Sequence, residues 1–163
     1  MLVLGLDPGL AVMGYGLVEG DGDRLEAITY GVVRTEAKTP LVQRLVRLHD
    51  ALTELIAKHR PDVAAVEELF FSANARTAMG VGQARGVAIL TVAQAGLSVV
   101  EYTPMQVKQA VTGYGGADKA QVQEMVRLLL QLAETPRPDD AADALAICIC
   151  HQHSARLQML LAQ

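Results

Sequence analysis

The first third of this chain repeats its hydrophobic positions with the period of strands, and the stretch after residue 40 repeats them with the period of a helix. Leu2–Asp7 (LVLGLD) is a continuous apolar run closed by Pro8-Gly9, the pattern of a strand buried on both faces. Ala11–Glu19 alternates around interrupting glycines, Gly20-Asp21-Gly22-Asp23 supplies turn chemistry, and Leu25–Thr35 returns as a third strand. Short turns between these runs predict an antiparallel meander. Leu41, Leu45, Leu48, Leu52, Leu55 and Ile56 then recur at helical spacing until Pro61. Val63–Glu67 reads as a fourth strand, Ala75–Ala95 as a long helix, Leu97–Tyr102 as a fifth strand, and Lys119–Leu132 and Asp140–Ser154 as two further helices. Three hairpin strands followed by helix, strand, helix and strand predict a mixed α/β sheet with helices on its faces.

Composition narrows the class. With 163 residues, 51% of them hydrophobic, the chain supports one domain with one substantial core, expected over residues 1–154 with a short tail at 155–163. Its apolar runs are too short for a membrane span, and MLVLGLDPG reads as a strand rather than a signal peptide. Two cysteines, Cys148 and Cys150, do not make a disulfide framework and suit a reducing, cytoplasmic setting. The net charge of −4 is not that of a strongly basic nucleic-acid binder. It is compatible with DNA binding where carboxylates carry metal ions and the basic residues share a face.

Four carboxylates stand at element ends: Asp7, Glu67, Asp140 and Asp143. Each has an ordinary structural role available. Asp7-Pro8-Gly9 is a turn signal, Glu67 a strand terminus, and Asp140 with an acid three residues on resembles a helix cap. Together they say more. Parallel neighbouring strands one and four would bring Asp7 and Glu67 to the carboxyl edge of the sheet, where open α/β sheets place ligands. Asp140 and Asp143 share one helix face. Clustered acids repel unless cations fill the gap, and divalent ions held by carboxylates serve phosphoryl chemistry.

Other residues carry weaker signals. Cys148, Cys150, His151 and His153 contain the atoms of a zinc site, but about 100° of rotation per residue points them to different sides of a helix. Phe70 and Phe71 lie in a loop just past Glu67, as core closure or as stacking platforms for an unpaired base. Lys108 and Lys119 are the only lysines after Lys58, and Lys119 falls at a helix start, where an anion is welcome. Gly113-Tyr114-Gly115-Gly116 lacks the trailing residues of a phosphate loop and reads as a mobile loop. The helix from Ala75 to Ala95 is small or apolar on most of its circumference, which predicts two partners and suggests a homodimer along it.

The segments LGLDPGLAVMGYG, AAVEELFF, GQARGVAIL, YTPMQVKQAVTGYGGADKAQV and DDAADALAIC, in that order, resemble the RuvC family of Holliday junction resolvases. The resemblance covers about Leu2 to His153. It implies a ribonuclease-H-like fold with sheet order 3-2-1-4-5 and a dimeric, Mg²⁺-dependent endonuclease acting on four-way junction DNA, with Mn²⁺ as a substitute. By position Asp7, Glu67, Asp140 and Asp143 match the catalytic metal-binding acids. Strand alternation and motif position favour Glu67 over Glu68. Phe70 resembles the aromatic that contacts junction bases, with Phe71 beside it, and Lys108 and Lys119 match basic residues of DNA contact or catalysis. Two ions per site, cleavage to 5′-phosphate and 3′-hydroxyl ends, and a branch-migration motor as partner are further expectations of the resemblance. Two rival classes stay open on sequence. One is an actin-like ATPase phosphate loop built from Asp7, Gly14 and Gly16; the other is a junction-binding protein without nuclease activity.

Overall fold

The computed structural model describes residues 1–68 and 75–162. Along the chain run β1 (Leu2–Asp7), β2 (Val12–Gly20), β3 (Leu25–Arg34), α1 (Leu41–His59), β4 (Val63–Glu67), α2 (Ala75–Gln94), β5 (Ser98–Tyr102), α3 (Pro104–Thr112), α4 (Lys119–Leu129) and α5 (Asp139–Leu161). The strands form one sheet in the order β3-β2-β1-β4-β5. β1, β2 and β3 pair antiparallel as a meander, while β4 runs parallel to both β1 and β5. This is the expected mixed sheet in the expected order.

Period-two alternation sorts the sheet into two faces, each with its own core. Leu4 and Leu6 of β1 and Ala64 and Val66 of β4 pack with Leu48, Leu52 and Ile56 of α1 and Ala84, Ala88 and Val92 of α2. Val3 of β1 and Val63 and Ala65 of β4 point the other way, into a cluster with α3, α4 and α5. Continuing the alternation by one step puts Asp7 and Glu67 on the α5 side. Parity alone therefore aims both acids at the layer that carries Asp140 and Asp143.

Helix α5 is the centre of that layer. From Ala141 to Gln152 every residue is buried except Asp143. So tight a seat requires glycine on the sheet. A Cβ at Gly5 would stand 2.2 Å from the Ala144 carbonyl oxygen, and one at Gly14 would stand 2.0 Å from that of Asp140. The glycines that suggested a phosphate loop make room for a helix here. Just past its midpoint α5 is tied to the chain start, with Gln152 Nε2 donating to the carbonyls of Met1 at 2.8 Å and Val18 at 3.2 Å.

The structure departs from expectation at four points. Helix α5 starts at Asp139 with Pro138 as its N-cap and no side-chain cap, so Asp140 lies inside the first turn and is not a cap. The same helix continues to Leu161, through the expected tail boundary, because Ala155–Leu161 is made of residues that favour helix. Helix α3, not expected, begins with a capping box. Thr103 accepts from the Gln106 backbone amide while the Gln106 side chain accepts from the Thr103 amide, with Pro104 in the first turn. Helix α4 stops at Leu129 rather than Leu132, followed by Gln131 in the left-handed region at φ 53°.

Candidate active site

Asp7 closes β1 and Glu67 closes β4, and these strands are in register one step earlier, Leu6 opposite Val66. Asp140 and Asp143 descend on them from the first and second turns of α5, with Gly14, the β2 partner of Asp7, directly beneath Asp140. Lys119 opens α4, its helix capped by an Asp118–Gln121 box, and reaches across to Asp143 Oδ2 at 3.2 Å and Asp139 Oδ2 at 3.4 Å. Lys108 of α3 completes the far wall. Glu67, Lys108, Lys119 and Asp143 line one cavity of about 240 Å³ with Pro104, Val107, Val122 and Ala146. A groove of about 630 Å³ between α1 and α2 is larger, yet no acidic residue is among those lining it. What marks the site is that acids from two adjoining strand ends and from α5 meet two lysines there.

Burial, and then neighbouring negative charge, raises Asp7, Glu67 and Asp143. Burial first, then the negative charges of Asp143, Glu67 and Asp140, push the Asp7 carboxyl up to about 7, with Lys119 acting in the opposite direction. Glu67 is raised by burial and by Asp143, against Lys108 and Lys119. Asp143 is also raised, chiefly by burial, with Lys119 partly compensating. Burial works against the charge of Lys119, but Asp143 and then Asp139 outweigh it and hold its pKa above the ordinary value. Asp139, by contrast, is held below the carboxylate range by a Gln123 hydrogen bond and by Lys119 and Arg137.

Among the described residues no three His, Cys, Asp or Glu side chains already form a chelating cluster. The acids stand within electrostatic reach of one another rather than in a closed cage. Their donor chemistry still fits a hard divalent cation such as Mg²⁺ or Mn²⁺, which takes carboxylate oxygens and retains water. A cation would also relieve the mutual repulsion that raises Asp7.

Asp7, Glu67, Asp140, Asp143, Lys108 and Lys119 thus converge. Phe70 and Phe71 lie outside the described residues. Two contributors were not singled out from sequence. Asp139 shares Lys119 with Asp143 and is bonded to Arg137 at 2.8 Å; the only sequence signal for it was the doublet Asp139-Asp140. Arg85 of α2, in the motif GQARG, donates to the Glu67 carbonyl at 2.8 Å and pairs with Glu101 at 2.7 Å, fixing the end of β4. The zinc set is dispersed as helical rotation requires. The Cys148 thiol faces the Val3 and Gly16 carbonyls, Cys150 faces Gln106, His151 bonds Tyr102 at 2.9 Å, and His153 donates to Ala110 at 3.0 Å.

Comparison with known proteins agrees with this geometry. Residues 3–151 match the family model described as crossover junction endodeoxyribonuclease RuvC. A crossover junction endodeoxyribonuclease RuvC of Desulfitobacterium hafniense is 59% identical over 157 residues, covering 96% of this chain and 95% of that protein. RuvC of T. thermophilus, solved in complex with Holliday junction substrate, superposes with a TM-score of 0.93 at 41% identity, over 97% of this chain and 96% of that one. The yeast mitochondrial Holliday junction resolvase shares the fold alone, with a TM-score of 0.66 at 15% identity over 96% of this chain and 82% of that one. A ribonuclease-H-like sheet carrying its acids at the ends of β1 and β4 and the start of α5, and a sequence match across nearly its whole length, lead to one conclusion: this chain belongs to the crossover junction endodeoxyribonuclease RuvC family.

Proposed function

We propose that this protein resolves four-way DNA junctions by divalent-cation-dependent hydrolysis of phosphodiesters, leaving 5′-phosphate and 3′-hydroxyl ends. What carries the reading is the convergence of Asp7, Glu67, Asp140 and Asp143 at one sheet edge, in a chain of this family. Divalent ions, when bound, supply positive charge to the reacting phosphate and acidify a water molecule for attack. Asp7, Glu67, Asp140 and Asp143 would hold two of them, with Asp7 central because the other three all act on it. Lys108 and Lys119 line the same cavity and offer cationic contacts to a phosphate. Val107, Val122 and Ala146 give the cavity apolar walls, which strengthen every charge interaction inside it.

A dimer fits this substrate, since a four-way junction has approximate two-fold symmetry and two opposed sites cut strands in pairs. Helix α2 has a free face for the contact: Met79 is 67% and Leu90 56% exposed, and a Cβ at Gly82 or Gly86 would meet nothing within 4 Å among the described residues. A branch-migration motor as partner follows from the family alone.

Incubating the protein with a labelled four-way junction, with Mg²⁺ and with chelator, tests the reading. Paired nicks that require Mg²⁺, and an Asp7→Asn variant that binds the junction without cutting it, are expected. Undiminished cutting by Asp7→Asn would overturn the assignment of the acids. Binding without cutting by the parent protein would favour a recruiting role instead.

A further inference from the structure

Lys119 is claimed by two carboxylates of different standing. Asp143 lines the acidic cavity, whereas Asp139 is not among its lining residues. Asp139 is held from two other sides, by Arg137 Nη1 at 2.8 Å and by the side chain of Gln123, which sits one turn along α4 from Lys119 and is only 8% exposed. A lysine paired with Asp143 alone competes with any cation for that carboxylate, and once displaced its four-carbon stem is free to swing into solvent. Asp139 changes that balance. Its oxygen, 3.4 Å from Nζ, keeps a partner for the ammonium when Asp143 is taken.

We propose that Asp139 is a positioning residue that retains Lys119 at the rim of the cavity while Asp143 engages a divalent cation. The proposal rests on reading the acidic cavity as a cation site. Asp139 itself is not required to touch the cation or the DNA. Among the described residues the charged and polar groups that face it are Arg137 before it, Lys119 and Gln123 on α4, and Asp140 and Asp143 on its own helix.

Mn²⁺ binding to the full-length, DNA-free protein, followed by electron paramagnetic resonance, provides the test as a double-mutant cycle. Asp139→Ala is expected to weaken Mn²⁺ binding about two- to five-fold, the range an exposed ion pair commands. In a Lys119→Ala background the same substitution is expected to have no effect, since no ammonium remains to be held. Equal weakening in both backgrounds would mean that Asp139 acts through its own charge, and would overturn the proposal while leaving the cation site intact. No change in either background would overturn it equally. A parent protein that binds no Mn²⁺ would remove the cation site itself and the proposal with it. Asp139→Asn, which keeps an oxygen for Gln123, replaces the alanine variant in the same cycle if the latter does not fold.

Discussion

Replacing Asp7 by Asn is expected to stabilise the metal-free protein while abolishing its activity. The Asp7 carboxyl rises from an ordinary 3.8 in the unfolded chain to about 7 in the fold. The folded state therefore holds a proton between these values that the unfolded state has lost. Stability falls as pH rises through that window, and the loss is complete above about pH 8. At 1.36 kcal/mol per pH unit, the rise to about 7 amounts to about 4 kcal/mol. Asparagine keeps the shape and removes the charge. For a chain of this size each kcal/mol moves the Tm by roughly 2–4 °C, so the variant should melt about 10 °C above the parent at pH 8. Near pH 4 the two should melt almost together. Differential scanning calorimetry in chelator from pH 4 to pH 8 measures the gap directly. Saturating Mg²⁺ should then narrow it at pH 8 by stabilising the parent more than the variant. Equal melting temperatures at pH 8, or a gap that does not grow with pH, would refute the view that Asp7 is held as a strained anion.

Other outcomes follow from the same geometry. Gly14→Ala puts a Cβ 2.0 Å from the Asp140 carbonyl oxygen, so α5 must lift; a loss of about 1–3 kcal/mol in urea unfolding is expected, with cleavage falling more steeply than stability. Arg85→Ala frees the Glu67 carbonyl from its 2.8 Å bond and leaves Glu101 unpaired, and should lower single-turnover cleavage about tenfold, about 1.4 kcal/mol, with junction affinity retained in gel shifts. Burial pushes the Cys148 thiol up to about 12 and Cys150 up to about 11, so neither should react with a disulfide reagent at pH 8 until denaturant is added. Rapid labelling of the native protein would contradict the burial of these thiols. Leu52→Ala, which opens a cavity under α1, should cost about 2–5 kcal/mol in the same urea assay and leave cleavage intact at low temperature.

Sequence made the sheet legible because its signals were local. β1 is a run of apolar residues with a Pro-Gly stop, and period-two parity from Val3 to Asp7 and from Val63 to Glu67 carries both acids to one face. Asp140 and Asp143 followed from helical spacing. What escaped was either weak or tertiary. Helix α3 spans only Pro104–Thr112, with Val107 and Val111 as its buried residues, so its periodicity is faint, although Thr103-Pro104-Met105-Gln106 is a legible start. The role of Asp139 depends on where α4 delivers Lys119, and that of Arg85 on α2 passing beside the end of β4. Neither is written in nearby residues. Of the two readings open for Asp140, the cap falls away for a local reason, since Pro138 occupies the N-cap and Asp139 the first helical position.

The seating of α5 has a consequence for the order in which the protein is made. Two of its four acids are synthesised early, at Asp7 and Glu67, and two late, at Asp140 and Asp143. The helix that brings the late pair also fills the core against β1 and β2 and ties itself to the carbonyl of Met1. A ribosome-bound chain that has not yet released this segment lacks both half of its acids and one face of its sheet. Bringing the acids together and covering that face of the sheet therefore fall to the same helix. A fragment ending before Asp139 is expected to lack both a packed sheet face and cleavage activity.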